Sequence, residues 1–511
     1  MIERILTVGG FTLLSRLTGF IRDIILAAIL GAGPQADAFF VALRLPNHFR
    51  AIFAEGAFNA AFVPAYARIR QQGGAGRAGL FANHIFTLLL ASQLVLLAAA
   101  LLFTPAVIDV LAPGFRGDPE RFALAVKLTR ITFPYLLLIT LVTLYGGILN
   151  ALQRFAAAAA APILLNLSLI VALLLAAFFP SAGHAAAWGV LISGGLQALL
   201  VGGDCWRSGS LPRFAWPELD ADVKQFFRAL GPATVGSAGV QLALFADTII
   251  ASFLPAGALS ALYYADRINQ LPIGVIGIAA GTVVLPEMSA RLAGGDTSGA
   301  AHAQNRAIEF TLLLAIPCLA AFAVIPDLIM RALFMRGAFT DADALAAGHT
   351  LAAYAIGLLP FVLIRSTVAT FFARGDTATP VKAALIAAAV NIAFKFLLMG
   401  PLAQVGLALA TSIGAWINLG LVVWFAHRAG HARIERHLRQ SFFKLAIAGL
   451  ALAATLWLLQ MPVAHVFAGW HHWRAPMTLA ALMLIGGGVY GVLVLILFGQ
   501  RWLAVLRTRS R

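Results

Sequence analysis

Long apolar stretches, separated by short polar connectors, follow one another along the whole chain. Fourteen of these stretches are long enough to cross the ~30 Å hydrocarbon layer of a membrane as helices. Glycine and proline occur together in connectors such as 31–34 and 254–257, where they separate one helix from the next. The pattern predicts an all-α polytopic membrane protein with spans at 5–30, 36–63, 80–108, 122–152, 157–180, 184–206, 223–254, 258–289, 304–332, 346–373, 378–400, 403–427, 441–461 and 476–499.

The composition supports the membrane assignment and excludes two other classes. Of the 511 residues, 61% are hydrophobic and 11% are charged, and the mean hydropathy of +0.90 matches no soluble globular class. The net charge of +15 does not indicate a nucleic-acid partner, because most cations lie in short loops rather than on a soluble face. Cys205 and Cys318 lie within or beside apolar runs, so we expect buried thiols and no disulfide.

Loop arginines indicate the orientation in the membrane. If the N-terminus is cytoplasmic, the outer loops hold few arginines, namely Arg116, Arg121, Arg336 and Arg474. The inner loops and the C-terminal tail then hold most of them: Arg68, Arg70, Arg77, Arg154, Arg207, Arg213, Arg291, Arg374, Arg428, Arg433, Arg436, Arg439, Arg507, Arg509 and Arg511. Because positively charged loops remain in the cytoplasm, we predict that both termini are cytoplasmic.

An internal repeat organises the predicted helices. Pro46 is matched by Pro272 and Pro134 by Pro360, and the members of each pair are 226 positions apart. An even number of predicted helices precedes the second copy, so both copies enter the membrane in the same direction. The repeat predicts two parallel six-helix lobes around a central cavity. The chain then divides into an N-terminal lobe at 1–215, a C-terminal lobe at 216–430, and two extra helices with a cytoplasmic tail at 431–511.

Charged side chains interrupt the first two predicted helices, although each costs roughly 2.5–3.5 kcal/mol at bilayer depth. The arginines among them are Arg16, Arg22, Arg44 and Arg50. Arg267 lies in the repeat counterpart of the second helix, on one stripe with Tyr263 and Gln270. A guanidinium always stays charged and can donate two parallel hydrogen bonds to phosphate oxygens. These arginines therefore predict an intramembrane site for an anionic substrate.

An alternative is that the embedded charges form structural pairs, because intramembrane charges commonly neutralise one another. The candidate pairs are Arg16 with Asp23, Arg44 with Asp37, Arg50 with Glu55, and Arg267 with Asp266. For any single pair both interpretations stay open. The concentration of charge in the first two helices and their counterpart favours a shared site for the whole set.

Other polar residues suggest a second site but no catalysis. Asn391 and Lys395 are four residues apart on one helix face, which would allow an internal pair with Asp247. The histidines lack the spacing of metal ligands, and no catalytic motif occurs in a suitable context. We therefore expect neither a metal nor another cofactor, and no enzymatic activity.

At these residues the chain resembles the MurJ (MviN) family of lipid II flippases, within the multidrug/oligosaccharidyl-lipid/polysaccharide exporter superfamily. The ordered set of motifs runs through nearly the whole chain. The segments that carry the resemblance are Ser15-Arg16-Leu17-Thr18-Gly19-Phe20-Ile21-Arg22-Asp23, Gly31-Ala32-Gly33, Asp37-Ala38-Phe39-Phe40, Leu45-Pro46-Asn47, Phe53-Ala54-Glu55-Gly56-Ala57-Phe58, Tyr264-Ala265-Asp266-Arg267 and Arg336-Gly337-Ala338-Phe339.

The resemblance implies that the protein flips lipid II, the lipid-linked peptidoglycan precursor, from the cytoplasmic to the periplasmic leaflet of the bacterial inner membrane by alternating access. It also implies that the two extra helices form a groove for the polyprenyl tail, and we expect the protein to act as a monomer. The residues implied to clasp the diphosphate and sugar are Arg16, Arg22, Arg50 and Arg267. Those implied to position the arginines or gate the cavity are Asp23, Asp37, Asn47, Glu55 and Asp266, to which the helix faces add Arg44 and Gln270.

Three other functions remain to be weighed. An exporter of another polyprenyl-diphosphate-linked glycan, or of a drug, would share the repeat and the topology. The first-helix arginines and the extra helices favour a polyprenyl diphosphate. A polytopic glycan polymerase would need a catalytic carboxylate in a large outer loop, and the predicted outer loops are short. A scaffold without transport would have no use for the embedded arginines.

Lys395 leads to a prediction about ion coupling. In sodium-binding relatives a second-lobe site uses carboxylate and amide ligands; Asp247 and Asn391 match two of them, but Lys395 replaces a carboxylate. A sodium ion ~4 Å from an ammonium group would be repelled by about 4 kcal/mol at an effective dielectric of ~20. We therefore expect an internal Lys395–Asp247 pair and transport driven by membrane potential or protons. Replacing sodium by potassium should leave the rate of lipid II flipping unchanged, and a strong sodium dependence would contradict this prediction.

Overall fold

The structure, a computed structural model, describes residues 2–50, 57–431, 435–470 and 473–499, without the side chains of 2–6, 45, 49, 233, 235–243 and 278–283. All regular elements in these ranges are helical, which confirms the all-α prediction. The α-helices are α1 Ile2–Leu30, α2 Pro34–Phe49, α3 Ala57–Leu102, α4 Thr104–Leu111, α5 Pro119–Thr132, α6 Tyr135–Ala151, α7 Ala156–Leu174, α8 Ala182–Arg207, α9 Ala221–Ser252, α10 Ala258–Pro272, α11 Ile278–Ala293, α12 Thr297–Val324, α13 Pro326–Phe334, α14 Asp341–Phe372, α15 Ala378–Arg428, α16 Arg436–Val466 and α17 Arg474–Phe498.

The most apolar helices account for most of the predicted spans. Within the part of the chain that the structure describes, nine helical segments are long and apolar enough to cross a membrane. They contain ten of the fourteen predicted spans, because α15 holds two. The other four predicted spans correspond to α1, α2, α9 and the pair α10 and α11, which are the first two spans of each repeat copy. The less apolar helices therefore occupy equivalent positions in the two copies.

The repeated prolines mark equivalent changes in helix geometry. Pro46 lies near the end of α2, and Arg50 follows it in a π-helical turn. In the second copy Pro272 ends α10 and is followed by the π-helix Ile273–Gly277. A proline cannot donate the backbone hydrogen bond of a regular helix, and π turns are common next to functional sites. Both copies thus change helix geometry beside the predicted substrate arginines.

Contacts divide the chain into two compact units. Unit 1 comprises Met1–Ser260 and the short segment Arg336–Phe339. Within it α7 packs against α1 and α8, α2 against α5, and α9 against α3. The segment 336–339 belongs to this unit because the Ala338 N–H donates a hydrogen bond of 2.7 Å to the carbonyl of Ala28 in α1.

Unit 2 comprises Ala261–Met335 and Thr340–Arg511. Its centre is formed by α12, α14 and α15, and α16 and α17 pack against each other on this bundle. Two polar contacts attach them to α12. The Ser441 hydroxyl donates to the buried Glu309 carboxylate at 2.6 Å, and the Tyr490 hydroxyl donates to the Leu313 carbonyl at 2.8 Å.

The lobe boundaries of the sequence rest on the repeat rather than on contacts. By its contacts α9 belongs to unit 1, whereas the repeat assigns it to the second lobe. The division at 1–215, 216–430 and 431–511 stays a prediction.

The approach of segment 336–339 to α1 leads to a stability prediction. Gly31 has φ +66°, and a Cβ at this position would lie 2.6 Å from the Ala338 carbonyl oxygen. Gly31→Ala should therefore lower the thermal unfolding midpoint of the purified protein, through a left-handed backbone cost of about 1–2 kcal/mol and displacement of the segment. Gly295→Ala is the matched control, because Gly295 has φ +77° and nothing within 4 Å of such a Cβ. Equal shifts for the two variants would show that the contact with Ala338 contributes nothing.

Candidate functional site

Arg22, near the middle of α1, is held by two neighbours. Its Nε and Nη2 atoms donate to the Asp23 carboxylate at 3.0 and 2.7 Å, and its Nη1 atom donates to the Asn166 side-chain oxygen at 2.9 Å. The Arg22 side chain is 12% exposed. Three of the five N–H bonds of the guanidinium are therefore engaged, and each Nη atom keeps one further N–H.

Asn166 in α7 is a support that the sequence analysis missed. Its amide nitrogen donates to the Ser15 carbonyl at 2.9 Å and to the Thr18 hydroxyl at 3.1 Å. A Cβ on Gly19 would lie 3.4 Å from the same amide, so the missing side chain at Gly19 lets α7 approach α1. The sequence does contain a signal for this role. Asn166 is an asparagine in an otherwise apolar helix, and an amide at bilayer depth needs hydrogen-bond partners from elsewhere in the protein.

The charges of α1 do not pair as their spacing allowed. Seven positions separate Arg16 and Asp23 on one face, but the arginine bonded to Asp23 is its sequence neighbour Arg22. Arg16 is exposed. The pairing of Arg16 with Asp23 is thus corrected: the carboxylate positions Arg22.

Asp37 at the start of α2 is fully buried and accepts four hydrogen bonds. The donors are Arg121 Nη2, the Gly257 N–H and the Ser260 N–H, each at 2.8 Å, and the Ser260 hydroxyl at 2.5 Å. Arg121 is itself buried, with its guanidinium 3.8 Å from the centre of the Phe115 ring. The Asp37 cluster, defined as Asp37, Arg121, Gly257 and Ser260, therefore joins α2, α5 and the segment that leads into α10.

The Asp37 cluster corrects two expectations. Arg121 was assigned to an outer loop by charge counting, yet it is a buried partner of Asp37. Arg44, the suggested partner of Asp37, instead donates to the Thr248 hydroxyl of α9 at 2.9 Å. The sequence could not reveal these pairs, because Arg121 and Thr248 are far from their partners along the chain.

The end of α2 carries two more of the predicted residues. Asn47 and Arg50 are half-buried, and Arg50 caps the helix through its backbone. Between them, the His48 ring packs against Phe245 of α9, with ring centres 4.4 Å apart. Glu55 lies outside the described residues.

In unit 2 the predicted stripe of α10 is partly connected. Arg267 is exposed, and its Nε and Nη2 atoms donate to the Tyr263 hydroxyl at 3.3 and 3.1 Å. Its guanidinium also lies 5.1 Å from the centre of the Tyr263 ring. Gln270 donates to the Asp266 carboxylate at 3.3 Å. The contacts with Tyr263 therefore hold the Nε and Nη2 edge of the Arg267 guanidinium in place.

The second candidate site is built on α15. Lys395 is 2% exposed and lies one turn after Asn391. A Cβ on Gly414 would lie 2.8 Å from the Asn391 Cβ, so the two halves of α15, separated by a break at Ala403, pack closely here. Asp247 belongs to unit 1 and Lys395 to unit 2, and their pairing stays a prediction. Across the described ranges, no group of three His, Cys, Asp or Glu residues is arranged to hold a metal.

Two solved structures illustrate the fold that this chain shares with known proteins. One, titled as an inward-facing conformation of a multidrug resistance MATE family transporter of the MOP superfamily, has a TM-score of 0.66 at 17% identity, covering 81% of this chain and 94% of its own. A second, titled lipid II flippase MurJ in an inward closed conformation, has a TM-score of 0.82 at 25% identity, covering 97% of this chain and 99% of its own. The chain therefore shares the all-helical fold of these two structures.

Sequence comparisons identify the family. The family model described as "Lipid II flippase MurJ" matches residues 26–499. A relative from Rhizobium meliloti (strain 1021), described as "Probable lipid II flippase MurJ", is 40% identical over 491 residues, which cover 95% of this chain and 91% of the relative. A "Lipid II flippase MurJ" from Burkholderia cenocepacia is 33% identical over 461 residues, which cover 89% of each. The chain belongs to the MurJ family, so it is a multi-pass transporter of the inner membrane and not an enzyme.

The Asp37 cluster leads to a prediction that separates structure from gating. Asp37→Ala would leave the buried Arg121 without its carboxylate, and breaking a buried ion pair typically costs about 3–5 kcal/mol. We expect a lower unfolding midpoint and lower membrane abundance. In the control Asp109→Ala, the lost pair with Arg116 is exposed, so both quantities should stay near the parent values. An Asp37→Ala protein of normal stability that fails to transport would instead assign Asp37 to gating.

Proposed function

We propose that this protein moves lipid II, the lipid-linked peptidoglycan precursor, from the cytoplasmic to the periplasmic leaflet by alternating access. The observation that carries the proposal is the family match, which extends from residue 26 to residue 499. Relatives described as lipid II flippases align along nearly their whole length with this chain. A whole-chain relationship of this kind favours one shared substrate over a different polyprenyl glycan, since the latter would retain only the fold.

The diphosphate of the substrate is bound, in this proposal, by Arg16, Arg22, Arg50 and Arg267 in one central cavity. The hydrogen bonds of Arg22 support a ligand role. Asp23 and Asn166 fix its guanidinium while each Nη atom retains one N–H bond. A fork that is held in place loses less conformational entropy on binding a phosphate than a mobile side chain would.

Arg267 is supported in the same role by its exposure and its contact with Tyr263. A guanidinium held against an aromatic ring keeps its charge and is fixed in one orientation. Asp266 and Gln270 bond to each other one turn apart on α10 and would steady the same segment. Asp23, Arg44, Asn47 and Glu55 position the arginines or gate the cavity in this proposal.

The polyprenyl tail lies along α16 and α17 in this proposal. Both helices expose large apolar side chains, among them Leu450, Trp457, Leu484 and Ile496. Their attachment to α12 through Ser441 and Tyr490 would hold such a surface beside the bundle. The protein would act as a monomer with both termini in the cytoplasm, as the distribution of loop arginines favours.

Coupling follows from the charge at the second candidate site. If the buried Lys395 ammonium pairs with the Asp247 carboxylate, the carboxylate charge is already balanced. A sodium ion at the same site would then be repelled by the ammonium. Membrane potential or protons would then drive transport.

Substitution of the arginines tests the proposal. Arg50→Ala and Arg267→Ala should abolish complementation of a strain depleted of its own flippase, because the bidentate phosphate contact is lost. Membrane abundance should stay near normal. Arg50→Lys and Arg267→Lys should restore activity only partly, since an ammonium is a point charge.

The matched control is Arg116→Ala, which removes an exposed arginine that pairs with Asp109 outside the candidate site. It should complement fully. Leaflet distribution of lipid II should report the same order of activity as growth. Alanine variants at Arg50 and Arg267 that flip lipid II at the parent rate would refute the assigned roles.

A further inference from the structure

Unit 1 contains a pocket that the transport proposal does not use. It has a volume of about 840 Å³ and lies where the start of α1, the α6–α7 connector and the end of α8 meet. Its polar lining includes Arg154, Asp204 and Arg207, and its apolar lining includes Phe11, Leu199 and Trp206. A charged end beside an apolar wall matches an amphiphile.

The exposed face of α8 places this pocket at a membrane interface. Trp188 and Trp206 are both exposed and eighteen residues apart, which is about five full turns, so they share one face. Their separation along the helix is about 27 Å, close to the ~30 Å thickness of the hydrocarbon layer. Exposed apolar side chains at Ile192, Leu196 and Leu199 fill the stripe between them. Since tryptophans are enriched at both interfaces, Trp206 and the pocket lie at headgroup depth.

The polar end of the pocket carries a net positive charge. Arg154 donates to the Asp204 carboxylate, which neutralises one of the two arginines, and Arg207 adds a second guanidinium. The first residues of α7 also line the pocket, and the N-cap residue of this helix, Phe155, provides no side-chain cap. Its first N–H groups therefore add positive potential beside the guanidinium groups. A group with a single negative charge complements this end.

The connector that presents Arg154 has an unusual backbone. Gln153 has φ +62° at the position after a helix where glycine is usual. Two hydrogen bonds hold this turn, from the Gln153 N–H to the Asn150 carbonyl at 3.0 Å and from the Arg154 N–H to the Leu149 carbonyl at 2.8 Å. The Gln153 side chain lines the pocket. A polar residue that lines the pocket thus occupies a position where glycine would be less strained.

We propose that this pocket binds the phosphodiester headgroup of an anionic glycerophospholipid, such as phosphatidylglycerol, with the acyl chains along the Trp188–Trp206 face of α8. The guanidinium of Arg207 and the N-terminus of α7 receive the phosphate. Loop charge places this end of unit 1 on the cytoplasmic side, where the lipid would be a resident of the inner leaflet. The site is separate from the arginines assigned to lipid II.

Lipid titration of the full-length protein in detergent, followed by native mass spectrometry, tests the proposal. Phosphatidylglycerol should bind more tightly than phosphatidylcholine with the same acyl chains. Arg207→Gln should weaken phosphatidylglycerol binding about fivefold, the ratio for roughly 1 kcal/mol per basic residue near a lipid headgroup. The matched control Arg213→Gln removes an exposed arginine a few residues further along the chain, outside the pocket, and should leave binding unchanged.

Asp204→Asn is expected to strengthen lipid binding, a result that misfolding of the variant cannot produce. It removes the negative charge that opposes the ligand and releases Arg154, so phosphatidylglycerol binding should become a few-fold tighter. Unchanged or weaker binding by Asp204→Asn, or equal losses for Arg207→Gln and Arg213→Gln, would overturn the proposal. Two competitors identify the occupant. Displacement by inorganic phosphate at equal concentration would indicate a soluble anion site instead, and preferential binding of undecaprenyl phosphate would indicate the carrier lipid; either result would refute a phospholipid site.

Discussion

A polar group inside a bilayer must find its partners within the protein, and this constraint shapes the whole molecule. Asp37 is the clearest case, because its buried carboxylate accepts hydrogen bonds from Arg121, Gly257 and Ser260. One side chain in α2 therefore ties down α5 and the first turn of α10 with the residue that precedes it. The same requirement attaches α16 to α12, where Ser441 donates to the buried Glu309 carboxylate.

The constraint also explains how polar and apolar helices are distributed. Long apolar helices such as α7, α8, α14 and α15 pack through small and aliphatic residues and need few polar contacts. The arginines predicted to bind substrate lie in α1, directly after α2 and in α10, within the first two spans of each repeat copy. In the second copy Pro272 is followed by the π-helix Ile273–Gly277, and in the first copy Arg50 has π-helical geometry four residues after Pro46. A duplicated arrangement of polar helices can supply binding groups from both halves of a transporter.

The arginines differ in how many of their N–H groups are hydrogen-bonded within the protein. Arg121 is buried against Asp37 and Phe115 and acts within the framework. Arg22 is fixed by Asp23 and Asn166 but keeps N–H bonds for a ligand. Arg207 lies in a pocket beside exposed apolar surface and suits a lipid headgroup. The same residue type thus has a structural role at Arg121 and is proposed to bind substrate at Arg22 and lipid at Arg207, according to its exposure and its partners.

The sequence by itself determined the helical class, the position of the spans, the repeat and the family, because each is a property of local hydropathy or of residue order. Within the described residues, each of the fourteen predicted spans has a helical counterpart. The grouping of Arg16, Arg22, Arg50 and Arg267, which the family resemblance implies, stays a prediction. Only the tertiary structure decided the partners: Arg22 instead of Arg16 for Asp23, Arg121 instead of Arg44 for Asp37, and Asn166 as the support of Arg22. The physical reason is that helical spacing restricts pairs within one helix, whereas a buried charge is satisfied by whichever donor another helix brings within about 3 Å.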